Sequence, residues 1–266
     1  MLTADDIAAG VVLAVDKPRG WTSFQAVNKV KAAVRNNLGL KKFKIGHAGT
    51  LDPLATGVLL VCMGKATKRI AELQEGTKVY SGTLVLGATT PCYDLERAID
   101  QYYPYLHIDE AMVRQTAQRF VGEIEQVPPI FSAVKIAGQR AYTYARVDDP
   151  TATIEPKKVS VYNFDITAFR PGSLPVEEPQ TNPSAHQGQA QTHLYNNPQG
   201  SVPAHLPQVD FCITCGKGTY IRSLARDLGV ALGSGAFVSA LRRERVGEYT
   251  ASNAIRLADI DKFITF

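Results

Sequence analysis

Apolar residues recur along this chain at two spacings, one typical of strands and the other typical of helices. Continuous or alternating apolar residues predict strands, because successive side chains of a strand point to opposite faces. Apolar residues three and four positions apart predict helices instead. The predicted strands are 11–16, 58–63, 77–86, 131–136, 157–169 and 209–215. The predicted helices begin near Thr22, Lys65, Asp109, Ala141, Thr219 and Ala254.

The order of these elements predicts the fold class. Strands and helices are mixed along the chain, and several strands follow one another closely enough to pair antiparallel, so we expect an α+β fold. A short apolar stretch at 237–241 precedes the last helix. A chain of 266 residues could form one large domain or two modest ones. No internal repeat divides it, and we expect a single domain over residues 1–266.

Residues 171–208 differ in composition from the rest of the chain. They contain seven of the fifteen prolines and six glutamines, with few residues that could form a core. Such a segment gains too little from burial to offset the entropy lost on ordering. It predicts a disordered surface insertion between two strands. A linker between two domains is the alternative.

Positive charge is concentrated outside that segment. Because residues 171–208 carry −2 of a net charge of +4, the rest of the chain carries +6. Cations cluster at 41–44, 65–69 and 242–245, which suits a polyanion such as nucleic acid, although solvated helix faces explain any single cluster equally well. The sequence has neither an apolar run long enough to cross a membrane nor a secretory signal, so we expect a cytoplasmic protein.

Metal and nucleotide cofactors are disfavoured by the spacing of the residues that would bind them. The four cysteines suit reduced thiols, and the five histidines show no metal-ligand spacing. A phosphate loop built on Gly64 and Lys65 would need glycine at position 59 and serine or threonine at position 66. These positions are leucine and alanine. Gly216 and Gly218 match only part of a dinucleotide-binding motif. We therefore expect no cofactor, with a nucleotide-dependent α/β enzyme as the alternative.

The stretch 46–57, GHAGTLDPLATG, combines glycines, a histidine and an Asp-Pro pair directly before a buried strand. Pro53 fixes its own φ and keeps Asp52 out of helical geometry, so one carboxylate lies on a stiff loop. The simpler interpretation is that Asp-Pro initiates a turn.

Two other side chains are unusual for their predicted positions. Arg222 falls in the first turn of a helix, where the helix dipole disfavours a cation. Pairing with a carboxylate or phosphate explains this arginine, although it could also extend to solvent. Tyr80 lies on a strand face with aliphatic neighbours, where an ordinary core tyrosine is the alternative.

The stretch 46–57 resembles the signature of the TruB-type tRNA pseudouridine synthases, which isomerise uridine 55 in the T-loop of tRNA. Other stretches match this family in the same order, and the matches run from about residue 11 to residue 247: 15–23, 78–80, 128–135, 217–222 and 241–243. Several long motifs in one order are far more specific than any one of them.

The resemblance implies a pseudouridine synthase fold, with a mixed, mostly antiparallel sheet flanked by helices and a basic catalytic cleft across its middle. It implies that Asp52 is the catalytic carboxylate. The target base is flipped out of the T-loop, the glycosidic bond breaks, and the uracil rejoins the ribose through carbon 5. Attack on the sugar, attack on the base and abstraction of a ribose proton all remain open as the role of Asp52.

The resemblance also assigns residues that bind the substrate, namely His47, Tyr80, Tyr220, Arg222 and Leu241. Tyr80 would stack on the flipped base, Arg222 would pair with Asp52, and His47 would fill the gap that the base leaves. Leu241 would line the uracil pocket. Weaker contacts to the RNA backbone are expected from Lys17, Lys65, Lys68 and Arg243. The expected partner is the tRNA T-arm, bound by a monomer.

Two features depart from the family pattern. Many members carry a C-terminal RNA-binding domain of the PUA type, whereas about twenty residues follow Gly247 here, so we expect no full domain of that type. The segment 171–208 is also longer than expected. A second hypothesis is an RNA chaperone that folds the tRNA elbow without catalysis, and both activities could coexist in one protein.

Overall fold

The computed structural model describes residues 2–132, 135–136, 139–140, 154–174 and 202–264. Most of the predicted insertion at 171–208 and the helix predicted from Ala141 lie outside these residues. The helices in the described ranges are α1 (Ala4–Ala9), α2 (Ser23–Leu38), α3 (Ile70–Glu75), α4 (Glu110–Gln118), α5 (Ile221–Ala231) and α6 (Ile260–Phe263). The 3-10 helices are Gly64–Arg69, Ala251–Asn253 and Leu257–Asp259.

Most of the strands belong to one large sheet. The strands are β1 (Val11–Lys17), β2 (Ile45–His47), β3 (Thr56–Met63), β4 (Lys78–Leu86), β5 (Ala88–Thr89), β6 (Gln101–Tyr102), β7 (Gly122–Gln126), β8 (Lys135–Ile136), β9 (Gln139–Arg140), β10 (Lys157–Arg170), β11 (Gln208–Cys215), β12 (Ala236–Val246), β13 (Tyr249–Thr250) and β14 (Ile255–Arg256). Within the described residues, ten strands form this sheet in the order β14-β1-β3-β12-β4-β11-β10-β7, with β2 beside β3 and β13 beside β12. Only the pairs β1–β14 and β3–β12 are parallel within that sheet. The predicted α+β class with a mixed, mostly antiparallel sheet is confirmed.

The centre of the sheet brings distant parts of the chain together. Strand β12 lies between β3 and β4, so that Arg243 is opposite Gly57 on one side and Tyr80 on the other. Leu241 lies opposite Gly82 of β4. Tyr80 and Leu241 each pack against two hydrophobic cores, one beneath α5 and the other beneath α2. The junction of the two cores is therefore also the place where the motif residues meet.

Local sequence signals determine where several helices begin and end. Helix α2 starts with a capping box, in which the hydroxyl of Thr22 accepts from the amide of Gln25 and the Gln25 side chain bonds back to Thr22. It ends at Gly39, whose φ of 67° lies in the left-handed region that glycine tolerates. Asp109 caps α4 by accepting from the Met112 amide at 2.7 Å. The predicted starts of these two helices, near Thr22 and Asp109, are confirmed.

Several predicted elements are wrong in extent or kind. The helix predicted from Lys65 is a 3-10 helix followed by the short α3. The apolar stretch at 237–241 belongs to the longer strand β12. The strand continues through Arg242, which bonds to the Asp16 carboxylate, and Arg243, which donates to the Val58 carbonyl. The predicted last helix is mostly β14 and a 3-10 turn, with α6 only four residues long. Helix α5 begins after Tyr220 rather than at a Thr219 cap, because the Thr219 hydroxyl donates to the Gly216 carbonyl.

Candidate active site

An ion pair between Asp52 and Arg222 joins the loop between β2 and β3 to helix α5. Arg222 occupies the first turn of α5, and its Nε is 2.9 Å from Oδ2 of Asp52. The N–H of this nitrogen is not aligned with that oxygen for a hydrogen bond, so the attraction is that of an ion pair. The Arg222 side chain is 4% exposed and that of Asp52 is 34% exposed. The carboxylate thus combines a buried cationic partner with access to the cleft.

The rest of the Arg222 guanidinium is held by a loop and a turn far away in sequence. Its two terminal nitrogens donate to the carbonyls of Cys92 and Phe131, each at 3.0 Å. A second carboxylate, Asp94, lies 3.5 Å from Nε and is almost fully buried. Arg222 therefore does not extend to solvent, and a fixed fork of donors holds it in a single orientation.

The loop that carries Asp52 is held from below by a buried lysine. Lys17 has no exposed surface, and its ammonium donates to the carbonyls of Trp21 at 2.6 Å and Pro53 at 3.2 Å. The amide of Gly20 donates to the same Pro53 carbonyl at 2.8 Å. Burial lowers the pKa of Lys17 to about 8, against the opposing attraction of the Asp52 carboxylate. The expectation that Lys17 contacts phosphate is corrected, because this ammonium is enclosed by carbonyl oxygens.

Arg243 supports the same loop from the other side. It is 2% exposed, and its guanidinium donates to the carbonyls of Val58, Thr50 and Gly49. Only glycine fits at position 57 beside it, because φ there is +99° and a Cβ would overlap the Arg243 backbone. The expectation of a phosphate contact is also corrected for Arg243. A run of arginines suggests an exposed surface, but alternate residues of a strand face opposite sides and this one faces inward.

A cavity of about 500 Å³ opens beside the ion pair. The predicted site residues among its lining are Asp52, Tyr80, Tyr220, Arg222, Leu241 and Arg243. Burial raises the pKa of Tyr80, so its phenol keeps the proton at neutral pH. The backbone of Tyr220 is fixed by Gln126, which accepts from its amide at 2.8 Å and donates to its carbonyl at 3.1 Å. The cavity is large enough to enclose a nucleobase.

The remaining predicted residues lie away from this cavity. His47 is in β2, is not part of the cavity lining among the described residues, and has its pKa lowered by burial, so its ring is neutral near pH 7. Lys65 and Lys68 are exposed on the 3-10 helix at the far end of β3. The structure adds Lys157 and Lys158 to the rim of the cavity. Their only sequence signal is a pair of cations at the start of a predicted strand.

Sequence reasoning missed the acidic neighbours of the ion pair. Asp94 accepts from the backbone amide of Glu96 at 2.9 Å, which closes a turn that holds both carboxyl groups near Arg222. Burial raises the pKa of Asp94, against the opposing attraction of Arg222. Burial also raises the pKa of Glu96 to about 7, assisted by the negative charges of Asp94 and Asp52. Three carboxyl groups therefore share the field of one arginine.

The raised pKa of Glu96 predicts how stability depends on pH. The ordinary pKa of this side chain is 4.5, so between pH 4.5 and about 7 the folded state binds more protons than the unfolded state, and stability falls as pH rises. Replacing Glu96 with glutamine removes this loss. Relative to the native chain, we expect the variant to gain roughly 1–2 kcal/mol between pH 5 and pH 8, a figure that allows for screening by solvent. Thermal unfolding at pH 5, 6, 7 and 8 measures the difference.

The matched control for this measurement is Glu123→Gln, at an exposed position of β7. It should run parallel to the native protein across the same pH range. If the stability of Glu96→Gln also stays parallel to that of the native protein across this pH range, the raised pKa of Glu96 is contradicted.

Two family models match this chain. The TruB family pseudouridylate synthase (N terminal domain) matches residues 35–180, and the tRNA pseudouridylate synthase B C-terminal domain matches residues 222–266. The chain is 46% identical to a tRNA pseudouridine synthase B of Flavobacterium johnsoniae, over 96% of each chain. It is 42% identical to a tRNA pseudouridine synthase B of Phocaeicola vulgatus, over 96% of this chain and 93% of that relative.

Solved structures with the same fold include chains from two multi-component complexes. The chain is 28% identical to one in a Cbf5–Nop10–Gar1 complex, with a TM-score of 0.60, and 26% identical to one in an H/ACA RNP bound to a substrate RNA, with a TM-score of 0.58. These alignments cover 97% of this chain and 55% and 54% of the solved chains, so it spans about half their length. Among the helices of the described ranges, none is long and apolar enough to cross a membrane.

Proposed function

The chain belongs to the TruB family of pseudouridylate synthases, and from that membership we propose that it converts uridine 55 in the T-loop of tRNA to pseudouridine. Its relatives named tRNA pseudouridine synthase B align along nearly their whole length, so it is an isomerase that forms pseudouridine in tRNA. The position and the chemistry are our proposal. The observation that supports it is the Asp52–Arg222 ion pair at the edge of a cavity of nucleobase size.

The cavity can accept a base only after that base has left its stack. Extruding a nucleotide costs a few kcal/mol, and stacking and hydrogen bonds inside the pocket offset that cost. Tyr80 and Leu241 provide an aromatic ring and an aliphatic side chain between the two cores. We assign to Tyr80 the stacking contact with the uracil, and to Leu241 the packing contact with its edge.

Isomerisation requires no net gain or loss of atoms. The bond from N1 to C1′ breaks, the uracil turns within the cavity, and C5 bonds to C1′ while the proton on C5 is lost and N1 gains one. We assign Asp52 as the carboxylate that acts on the nucleotide at the breaking bond. Attack on the sugar, attack on the base and abstraction of a ribose proton all need an ionised carboxylate, and the Arg222 guanidinium at 2.9 Å can hold that group in one orientation.

The direct test is conversion of a T-arm hairpin transcript by the purified protein, with pseudouridine mapped at single-nucleotide resolution. We expect one pseudouridine, at uridine 55, with no added metal ion or nucleotide. A transcript with cytidine at that position is the control and should yield none. Pseudouridine at another position would refute the assignment to uridine 55, and its absence from hairpin and whole tRNA would refute the proposed reaction.

A further inference from the structure

A groove rimmed by lysines lies away from the catalytic cleft. Its cavity of about 320 Å³ lies between α1, the segment before β2 and the 3-10 helix after β3. Its floor contains apolar side chains such as Ile7 and Phe43. Four lysines lie along it, and we call it the lysine groove: Lys42, Lys44, Lys65 and Lys68. All four side chains are exposed.

The backbone beneath the lysine groove is fixed by close packing. The amide of Gly64 donates to the carbonyl of Lys44 at 2.9 Å, and the hydroxyl of Thr67 donates to the carbonyl of Gly64 at 2.8 Å. Position 64 requires glycine, because φ is +58° and a Cβ would overlap the carbonyl oxygen of Ile7 in α1. The cations before β2 and after β3 are therefore held side by side by the fold.

Within the described part of the chain, no carboxylate neutralises the cations of the lysine groove. Among the described residues, none of its four lysines forms an ion pair, whereas neighbouring Arg69 pairs with Glu72 at 2.8 Å. On α1, the carboxylate of Asp6 is engaged by the hydroxyl and amide of Thr3. Four uncompensated cations over one groove attract a polyanion, and RNA phosphates match that requirement.

The groove and Asp52 lie at opposite ends of β3. The Asp52 loop enters this strand at Thr56, and the strand leaves at Met63, which pairs with Ile45 next to Lys44. Seven residue steps at about 3.3 Å each separate the two ends by roughly 23 Å. A phosphate in the lysine groove is therefore separated by about that distance from the nucleotide in the cleft.

We propose that the lysine groove binds backbone phosphates of tRNA outside the T-arm hairpin that carries the target uridine. This inference rests on the proposed function, because it takes the uridine in the cleft as its fixed point. Phosphate contacts supply affinity and position the RNA without reading its sequence. The lysine groove would accordingly contribute to the binding of a whole tRNA and leave the chemistry on an isolated hairpin unchanged.

The test compares two RNAs, a full tRNA transcript and the T-arm hairpin taken from it, with the variant Lys42→Gln/Lys44→Gln. We expect the affinity for whole tRNA to fall about 10- to 100-fold in 0.1 M salt. The slope of log K against log salt should fall by about 1.4–1.8, because each lost phosphate contact accounts for about 0.7–0.9. Affinity for the hairpin and its single-turnover rate should stay within twofold.

The matched control removes two exposed cations elsewhere, Arg119→Gln in the turn after α4 and Arg256→Gln in β14. It should leave the affinity for whole tRNA within threefold. Equal losses on hairpin and whole tRNA would overturn the inference, as would no loss on either RNA. Conversion of the hairpin by the native protein is a separate readout, so a failure of the proposed function is distinguishable from a failure of the lysine groove.

Discussion

Replacing Asp52 with asparagine is expected to reduce pseudouridine formation by about 10³-fold or more while RNA binding stays within threefold. The amide has the shape of the carboxylate but lacks its charge, so it can act neither as a nucleophile nor as a base. Asp94 still lies 3.5 Å from Arg222 in the variant, so the guanidinium keeps one acidic neighbour and the loop should stay in place. Single-turnover conversion of the hairpin and binding of the same RNA measure the two effects separately.

The control for Asp52→Asn is Asp165→Asn, at an exposed position of β10. It should convert the hairpin at the native rate. An undiminished rate in Asp52→Asn would refute the catalytic assignment. The Asp52→Asn variant also separates isomerisation from chaperone activity. A chaperone should still speed the refolding of a misfolded tRNA when isomerisation is lost.

The Asp52–Arg222 pair shows what the sequence could predict about the site. An arginine in the first turn of a helix is disfavoured by the helix dipole, and a stiff Asp-Pro loop presents a carboxylate. Each of these features predicts a partner outside its own element. The motif order then indicates that the two belong to one site. That they pair with each other is implied only by the family resemblance, and the structure has the two groups 2.9 Å apart.

The supports of that pair could not be predicted in the same way. Arg222 donates to the backbone carbonyls of Cys92 and Phe131. Every residue has such a carbonyl, so the sequence does not indicate which ones an arginine will bind. The phosphate contacts expected of Lys17 and Arg243 are wrong for a related reason. A cation is normally solvated, and only the tertiary fold shows that carbonyl oxygens replace water around these two.

Replacing Arg222 with lysine should reduce both turnover and stability. Lysine keeps the positive charge but cannot supply a planar fork, so the carbonyls of Cys92 and Phe131 lose donors while Asp94 stays buried. Leaving such groups unsatisfied costs about 2–4 kcal/mol of unfolding free energy. We expect the single-turnover rate on the hairpin to fall about 10²-fold, because a displacement of about 1 Å at the reacting group costs that much. Denaturant unfolding and single-turnover kinetics measure the two losses.

The same substitution one turn later in α5, Arg226→Lys, provides the matched control. Arg226 pairs with Asp227 at 2.7 Å, and both side chains are partly exposed, so this variant should lose less than about 1 kcal/mol and keep a native rate. The Asp52→Asn/Arg222→Lys double variant tests the coupling. If Arg222 acts by orienting the Asp52 carboxylate, its replacement should slow the Asp52→Asn protein only slightly further. An Arg222→Lys protein that is destabilised but converts the hairpin at the native rate would show that this arginine only supports the fold.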